Sequence, residues 1–130
     1  MEPLIAHAVK TIVLVEDDDV VRRLVSRVLE HEGYRVLGAV SGEEGLEILG
    51  REEPDLLLTD LTLPGDLNGL DLGRRALEER DDLKLICMSG YGEEDIADDL
   101  LGIARGAAFI GKPFSPKELL ETVNDLIGDS

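Results

Sequence analysis

The sequence predicts an α/β domain in which a five-stranded parallel sheet is covered by helices on both faces. Five short runs rich in valine, isoleucine and leucine occur along the chain, and longer amphipathic stretches separate them. This alternation is typical of repeated βα units, because strands buried on both faces are apolar throughout. The length of 130 residues allows one such domain with a buried core and is short for two.

The apolar runs define the predicted strands. They cover residues 11–15, 35–40, 55–59, 84–88 and 107–111. The second run is the least hydrophobic, so we expect it to lie nearer an edge of the sheet. Residues 1–10 are expected to form a short N-terminal extension, which leaves residues 11–128 as the domain.

The stretches between and after the strands predict five helices. In the first, apolar residues recur at a spacing that lines one side of a helix, and Gly33 can end it in a left-handed conformation. Its apolar residues are Val20, Val21, Leu24, Val25, Val28 and Leu29. The third helix is expected over about residues 70–79 and the fourth over about residues 93–105.

Two further helices have start signals. Ser41 is followed three positions later by Glu44, and Ser115 by Glu118, which is the spacing of a capping box. Pro116 also suits the first turn of a helix. We therefore expect the second helix to begin at Ser41 and the fifth at Ser115.

Composition restricts the possible functions. Lysine and arginine total 13 against 29 aspartates and glutamates, and the net charge of −16 disfavours a nucleic-acid-binding surface. The single cysteine, Cys87, lies in an apolar run and cannot form an internal disulfide. No apolar stretch approaches the ~20 residues that span a bilayer, and the N-terminus lacks signal-peptide features. The sequence thus predicts a soluble, cytoplasmic protein.

Polar residues stand where four of the predicted strands end. Glu16 and Asp17 follow the first strand, Asp60 the third, Ser89 the fourth and Lys112 the fifth. The carboxyl ends of parallel strands meet at one rim of the sheet, where loops leave a crevice for a ligand. Three carboxylates in such a crevice repel one another unless a cation neutralises them, and Mg²⁺ prefers oxygen ligands. The sequence therefore predicts a divalent-cation site.

A lysine and a hydroxyl at the same rim favour a phosphoryl group as a second ligand. Phosphoryl oxygens need positive charge and hydrogen-bond donors, which Lys112 and Ser89 can supply. An aspartate carboxylate can act as the nucleophile in phosphoryl transfer. Asp60 is the candidate, because it lies between the acidic residues of the first strand and the donors of the fourth and fifth.

Each of these residues also has an ordinary interpretation. Glu16 and Asp17 could simply favour the dipole of the following helix. Asp60 alone could be a turn aspartate, and Lys112 alone a solvated surface lysine. Their combination at the ends of strands is what favours a functional site.

Four segments at the strand ends form a pattern that extends over nearly the whole chain. They are Val15-Glu16-Asp17-Asp18, Leu56-Leu57-Leu58-Thr59-Asp60 with Leu63-Pro64 and Asn68-Gly69, Met88-Ser89-Gly90-Tyr91, and Lys112-Pro113-Phe114. From about residue 11 to residue 127 the sequence resembles the receiver domain of bacterial response regulators and hybrid histidine kinases.

The resemblance implies a flavodoxin-like, doubly wound sheet of strand order 2-1-3-4-5. It implies that Asp60 is phosphorylated by the phosphohistidine of a histidine kinase or a histidine phosphotransfer domain. Mg²⁺ or Mn²⁺ would be held by Glu16, Asp17, the Asp60 side chain and the backbone carbonyl of Thr62. The domain would be a phosphoacceptor that assists its own phosphorylation and slow self-dephosphorylation, and not an enzyme.

The resemblance also assigns the remaining site residues. Ser89 and Lys112 would contact the phosphoryl oxygens, and Phe109 occupies the family's aromatic switch position. Phosphorylation would draw Ser89 and Phe109 inward and alter the surface of the fourth helix, fifth strand and fifth helix, which a downstream protein would recognise. Thr62 and Tyr91 occupy positions that tune dephosphorylation in the family.

The sequence departs from the commonest family pattern at three points. Glu16 replaces a more usual aspartate and Ser89 a more usual threonine, and both keep the oxygen chemistry. Between Pro64 and Gly69 the loop is one residue longer, a variant associated with hybrid-kinase receivers.

The Lys112-Pro113 peptide is typically cis in such domains.

Other functions remain open. A phosphatase with an aspartyl-phosphate intermediate would also use a segment like Asp60-Leu61-Thr62, although such enzymes usually need a second acid where Thr62 stands. A binding module with an intact but unused site would be regulated by protein contact alone. A nucleotide-binding P-loop is disfavoured, because Pro113 follows Lys112 where a serine or threonine is required.

Partner contact for phosphotransfer is expected at the start of the first helix, near Val21 and Leu24. These two residues could instead be ordinary core. The sequence leaves open whether the chain is a stand-alone receiver or a part of a larger protein.

Overall fold

The computed structural model describes residues 9–90 and 107–128, which form a parallel sheet with helices on both faces. Five strands pair in the order β2-β1-β3-β4-β5, and all neighbours are parallel. The strands are β1 (Thr11–Val15), β2 (Arg35–Ala39), β3 (Leu56–Asp60), β4 (Lys84–Ser89) and β5 (Ala107–Gly111). The predicted fold class and strand order are confirmed, and β2 lies at an edge as expected.

The helices within the described residues begin at capping side chains. They are α1 (Asp19–His31), α2 (Gly42–Arg51), α3 (Gly69–Glu79) and a C-terminal helix (Pro116–Ile127). Their caps, which accept hydrogen bonds from first-turn N–H groups, are Asp18, Ser41, Asn68 and Ser115. The capping box of Ser115 and Glu118 is complete. The box predicted at Ser41 is not, because Glu44 accepts from the N–H of Val40 instead.

Two local predictions about the backbone can be compared with the structure. Gly33 follows α1 with a φ of 105°, the left-handed conformation expected of it. The Lys112-Pro113 peptide is cis, also as expected. Tyr91 and the helix predicted over residues 93–105 lie outside the described residues, as does most of the N-terminal extension.

The ends of two central strands differ from their predicted positions by one residue. β3 ends at Asp60 and β4 at Ser89, so both polar residues belong to the sheet and do not merely follow it. Asp60 is in register with Met88, and the N–H of Leu61 donates to the Met88 carbonyl at 3.1 Å. Pairing with β4 therefore fixes the backbone on both sides of the Asp60 side chain.

The core has two layers, because successive residues of a strand face opposite sides of the sheet. One layer packs against α2 and α3 and includes Val13, Val15, Leu57, Leu85 and Cys87. The other packs against α1 and the C-terminal helix and includes Ile12, Leu14, Leu58, Ile86 and Met88. β3 is buried along its whole length. In the part of the chain that the structure describes, no helix is long and apolar enough to cross a membrane.

Candidate functional site

Four charged residues from three strand ends come together at the carboxyl rim of the sheet. Glu16 and Asp17 follow β1, Asp60 ends β3 and Lys112 follows β5. Lys112 Nζ donates to Glu16 Oε1 at 2.5 Å and to Asp60 Oδ2 at 2.7 Å. One carboxylate oxygen from each of the three acids lies within 4.8 Å of the others. The structure thus brings together the acids and the lysine that the sequence predicted to meet.

Two of the three carboxylates are buried. Glu16 is 1% exposed and Asp60 is 7% exposed. Burying a charge costs several kcal/mol unless partners compensate for the lost water. Lys112 contacts both groups, the Asp18 N–H donates to Glu16 Oε2 at 3.1 Å, and the Thr62 N–H donates to Asp60 Oδ1 at 3.2 Å. These contacts replace part of the water that the two acids lose.

Three carboxylates outnumber the one lysine of the site, and burial acts on the pKa of both kinds of group. Burial raises the pKa of Glu16, and hydrogen bonds from Lys112 and Asp18 offset this only in part, while the Asp60 charge adds to the rise. Burial acts to lower the pKa of Lys112, but its hydrogen bonds to Asp60 and Glu16 and their charges outweigh burial and raise it. The site favours an additional positive charge.

The donor set fits a hard divalent cation. The site contains three carboxylates and one ammonium. Carboxylate oxygens are ligands that Mg²⁺ and Mn²⁺ prefer. Asp17 is exposed, and within residues 9–90 and 107–128 no hydrogen bond or ion pair holds its side chain. Its carboxylate can therefore turn toward a cation without breaking a contact there.

Close backbone packing fixes the chain after Asp60. A Cβ added at Gly69 would lie 2.0 Å from the Asp60 carbonyl oxygen, and one added at Gly42 would lie 2.3 Å from the Leu67 carbonyl oxygen. Only glycine fits at either position. The Gly69 N–H also donates to the Leu61 carbonyl at 3.0 Å. The start of α3 is thereby held against the backbone of Asp60.

The loop between β3 and α3 is also held by α2. Gly65 has a φ of 86°, which favours glycine, and the Asp66 N–H donates to Glu43 Oε2 at 3.2 Å. This is the loop in which the sequence indicates one additional residue. Its conformation depends on a glutamate from the first turn of α2 as well as on its own residues.

Ser89 ends β4 and Phe109 lies in β5, and in the described part of the chain neither side chain contributes a hydrogen bond to these four residues. Ser89 is half-buried, and its carbonyl accepts from the Lys112 N–H at 2.8 Å. Among the described residues, its hydroxyl makes no hydrogen bond to the three acids. Phe109 is half-buried in β5, opposite Cys87, and packs on the α2–α3 side of the sheet. The phosphoryl-contact and switch roles predicted for these residues stay predictions.

A family model described as the response regulator receiver domain matches residues 12–124 of the chain. The chain belongs to the receiver domain family. Receiver domains are the phosphoacceptor domains of two-component signalling, so the function class indicated by the strand-end residues is confirmed.

Three relatives illustrate how receiver domains are used. This receiver domain is 34% identical over 118 residues to the response regulator receiver protein CpdR of Brucella abortus (strain 2308), covering 91% of the chain and 97% of CpdR. It is 39% identical over 119 residues to the sensor kinase CckA of the same organism, covering 90% of the chain but 12% of the kinase. It is 37% identical over 116 residues to the phosphate regulon transcriptional regulatory protein PhoB of Pseudomonas aeruginosa, covering 85% of the chain and 48% of PhoB.

Solved structures agree with this assignment. A CheY-like response regulator receiver domain protein from Methanospirillum hungatei JF-1 has a TM-score of 0.83 at 34% identity, covering 91% of this chain and 93% of that one. A receiver domain protein from Clostridium thermocellum has a TM-score of 0.85 at 27% identity, covering 92% and 94%. Both matches cover nearly the whole receiver fold.

The sequence did not indicate that Glu16 contacts Lys112 directly. It assigned Glu16 to the cation and Lys112 to the phosphoryl group, whereas the structure pairs them at 2.5 Å. A signal was present, because glutamate has one more methylene than the usual aspartate and therefore reaches further across the rim. No sequence signal indicated that Arg22 contacts the Glu16 carbonyl, since the two residues are six positions apart.

Proposed function

We propose that this receiver domain accepts a phosphoryl group on Asp60 from the phosphohistidine of a histidine kinase or a histidine phosphotransfer domain. One observation supports this most directly. Asp60 Oδ2 lies 2.7 Å from the Lys112 ammonium, and an Asp60 oxygen lies within 4.8 Å of oxygens of two other acids. An aspartate nucleophile for phosphoryl transfer needs such a positively charged neighbour and a cation site. We assign residues 11–128 to the domain and residues 1–10 to a short extension.

We further propose that Glu16, Asp17, the Asp60 side chain and the Thr62 backbone carbonyl hold Mg²⁺ or Mn²⁺. When bound, the cation supplies Lewis acidity and neutralises charge on the phosphoryl oxygens. The excess of three carboxylates over one lysine in the site supports this role. The Thr62 N–H donates to Asp60 Oδ1, which keeps the Thr62 peptide close to the carboxylate.

The chemistry proposed for Asp60 is nucleophilic attack on phosphorus. A carboxylate oxygen forms a new bond to phosphorus while the bond from phosphorus to the donor imidazole nitrogen breaks, and that nitrogen keeps the electron pair. The Lys112 ammonium and the Ser89 hydroxyl donate hydrogen bonds to the phosphoryl oxygens. Lys112 already contacts Asp60, so it needs only a small shift to follow these oxygens.

The acyl phosphate is proposed to be lost by slow attack of water, which returns the Asp60 carboxylate and releases inorganic phosphate. Thr62 and Tyr91 would tune this step by shaping the path of the water. Since the domain itself carries the phosphoryl group as its signal, it acts as a phosphoacceptor and not as an enzyme with turnover.

Phosphorylation is proposed to change the surface formed by β5, the C-terminal helix and the helix predicted over residues 93–105. Ser89 and Phe109 would move toward the phosphoryl group, and a downstream protein would read the new surface. The hydrogen bond of 2.8 Å between the Lys112 N–H and the Ser89 carbonyl supports coupling between β4 and β5 at the site. Amide exchange measured with and without beryllofluoride tests this switch, and identical exchange in β5 and the C-terminal helix would contradict it.

A groove beside the site is the proposed docking surface for the phosphohistidine partner. It has a volume of about 500 Å³ and is lined by Val21, Leu24, Val28, Pro113, Phe114 and Leu119. Leu24 is 57% exposed and lies beside the other apolar residues of the groove, so together they present a contiguous apolar surface. Lys112 also lines the groove and joins it to Asp60. An apolar face of a helical kinase or phosphotransfer domain would fit there.

The experiment that tests phosphorylation uses acetyl phosphate as the donor and Mg²⁺ as the cation. We expect intact-protein mass spectrometry to show the gain of one phosphoryl group, which Asp60→Asn abolishes. Asp81→Asn is the matched control, because Asp81 is an exposed aspartate outside the site. Equal labelling of Asp60→Asn and the wild type would refute the proposal.

The same assay separates the alternatives. Multiple-turnover hydrolysis of a small phosphate ester would favour an aspartyl-phosphate phosphatase. An absence of labelling by acetyl phosphate and by phosphohistidine donors, together with an absence of cation binding, would favour a binding module regulated by protein contact alone.

A further inference from the structure

Arg22 joins the first turn of α1 to the acidic turn that carries Glu16 and Asp17. Its Nη1 donates to the backbone carbonyl of Glu16 at 2.9 Å, and its Nη2 contacts Asp19 Oδ1 at 2.6 Å. The arginine side chain is 19% exposed although it bears a full charge. The contact with Arg22 also lowers the pKa of Asp19. Both oxygens are thus held by one planar group with fixed donor directions.

The stem of Arg22 is held as well as its guanidinium. A Cβ added at Gly38 of β2 would lie 3.5 Å from Arg22 Cδ, so the stem runs across the position where a side chain of β2 would otherwise stand. The neighbouring Glu16 N–H donates to the Ala39 carbonyl at 3.0 Å. Arg22 therefore holds the backbone carbonyl of Glu16, and β2 holds the backbone N–H of the same residue.

Asp17 depends on this backbone for its position. Glu16 has its side chain fixed by Lys112 and by the Asp18 N–H. The Asp17 side chain has no hydrogen bond or ion pair within residues 9–90 and 107–128. What places the Asp17 carboxylate near Asp60 is the conformation of the turn, and the Glu16 carbonyl is the first group in that turn.

We propose that Arg22 is a positioning residue for the cation site: by holding the Glu16 carbonyl and Asp19, it keeps the Asp17 carboxylate near Asp60 and sets the affinity for divalent cations. This inference rests on the proposed cation role of Glu16, Asp17 and Asp60. In the described part of the chain the hydrogen bonds of Arg22 go to Glu16 and Asp19 and not to Asp60, Ser89 or Lys112, so its removal should weaken cation binding and leave the transfer step at saturating cation almost unchanged.

Whether cation affinity rises or falls when the Arg22 charge is removed distinguishes a positioning role from a simple electrostatic one. Removing a positive charge near an acidic site strengthens cation binding by Coulomb attraction, although solvent and salt reduce this effect at the surface. Losing the position of the Asp17 carboxylate weakens binding. A variant without the Arg22 charge that nevertheless binds the cation more weakly therefore points to positioning.

The test measures Mn²⁺ binding to the unphosphorylated protein by electron paramagnetic resonance, because Mn²⁺ accepts the same oxygen ligands as Mg²⁺. Arg22→Met keeps the apolar stem over Gly38 and removes both hydrogen bonds. Arg23→Met is the matched control, since Arg23 is exposed, carries the same charge and, among the described residues, donates a hydrogen bond to the Asp19 carbonyl of its own helix, at 3.2 Å. Labelling by acetyl phosphate is then measured across a range of Mg²⁺ concentrations.

We expect Arg22→Met to bind Mn²⁺ roughly five- to tenfold more weakly than the wild type, which is the effect of losing about one ordinary hydrogen bond. Its half-saturating Mg²⁺ concentration should rise by a similar factor, with the labelling rate at saturation within about twofold of the wild type. Arg23→Met should bind as tightly as the wild type or slightly more tightly.

Wild-type affinity in Arg22→Met would overturn the positioning role alone. A wild-type protein that binds no Mn²⁺ would overturn the cation site and the role of Arg22 together. If Arg22→Met does not fold, Arg22→Lys replaces it. A single ammonium cannot reproduce the two-oxygen contact of the guanidinium. Weaker Mn²⁺ binding by Arg22→Lys would therefore support the inference, and wild-type affinity would overturn it.

Discussion

Lys112 and Glu16, which are 96 positions apart, form an ion pair in which Nζ and Oε1 are 2.5 Å apart. The Glu16 carboxylate is buried at the centre of the site, and the same ammonium also contacts Asp60. Glu16 therefore has two possible partners, the lysine and a divalent cation. Its contribution to folding and its contribution to cation binding have opposite signs.

Glu16→Gln tests these two contributions. Burial raises the pKa of Glu16, so its stabilising contribution is present below its ordinary pKa of 4.5 and is lost as the pH rises through the folded-state value. At pH 7 without metal, we expect the neutral glutamine to give an unfolding free energy equal to or above that of the wild type. Cation affinity should fall by about tenfold or more, because a carboxylate ligand is lost.

Denaturant unfolding without metal and Mn²⁺ titration measure the two effects of Glu16→Gln. Glu78→Gln, at an exposed position of α3, serves as the control and should change neither. A Glu16→Gln protein that is less stable without metal would show that the ion pair with Lys112 outweighs the cost of burying the charge.

Gly69, the first residue of α3, should not tolerate even an alanine side chain. Gly69→Ala places a methyl group 2.0 Å from the Asp60 carbonyl oxygen, so the loop or the end of β3 must shift. We expect the unfolding free energy to fall by roughly 3 kcal/mol or more and phosphorylation to slow.

Gly50→Ala is the control, because Gly50 is exposed in α2 with nothing within 4 Å of the added atom. That change should raise stability by about 0.5–1 kcal/mol, the usual gain for alanine within a helix. Equal stabilities of the two variants would contradict the packing seen at Asp60.

Cys87 should make stability fall at alkaline pH. Burial, with a smaller effect of the Asp60 charge, raises the pKa of the thiol from 9.0 to about 12. Because the folded-state pKa is the higher one, the stabilisation is fully present below pH 9.0 and is lost as the pH rises toward about 12. At pH 10 the wild type should have lost about 1.4 kcal/mol relative to a protein without this ionisation.

Cys87→Ala lacks the titrating group and is the reference for this measurement. Urea unfolding of both proteins between pH 8 and pH 10 gives the difference in stability at each pH, and the cavity left by the smaller side chain adds a constant that does not affect how this difference changes with pH. A constant difference across this range would mean that the thiol ionises in the folded protein as readily as in the unfolded chain.

A charge introduced into the groove beside α1 should slow phosphotransfer from a protein donor but not labelling by acetyl phosphate. Leu24→Asp introduces a charge at a side chain that is 57% exposed, so the core should be preserved. We expect phosphotransfer from a phosphohistidine domain to slow by roughly tenfold or more, as for the loss of an apolar interface anchor. Labelling by acetyl phosphate should stay within about twofold. Val9→Asp is the control, because Val9 is 64% exposed and precedes β1 at the opposite end of the strand. Equal slowing with both donors would show that Leu24 supports the site itself and not a partner.

The sheet and most of the site could be predicted because their signals are local. Each strand is an apolar run, and the polar residue that ends it stands next to that run in the sequence. Topology then brings the ends together, so Asp60 and Lys112 could be expected to meet although they are 52 positions apart. The family resemblance supplied the strand order before the structure confirmed it.

What could not be predicted depends on distances between elements. The pairing of Glu16 with Lys112 depends on how far one methylene extends across the rim, and the fit of Gly42 against Leu67 depends on how closely α2 approaches the loop. The Glu44 side chain accepts from the Val40 N–H and not from its expected partner, the Ser41 N–H, and sequence spacing does not distinguish these two donors.

The position of Asp60 has a mechanical consequence. It ends β3, which pairs with β1 on one side and with β4 on the other and is buried at all five of its residues. Such a strand resists displacement, because moving it would break two ladders and disturb both core layers at once. A phosphoryl group on Asp60 would therefore be attached to a strand that does not move. For the proposed phosphorylation of Asp60, we expect the adjustment to come from side chains and connecting segments around the rim, while the sheet itself stays in place.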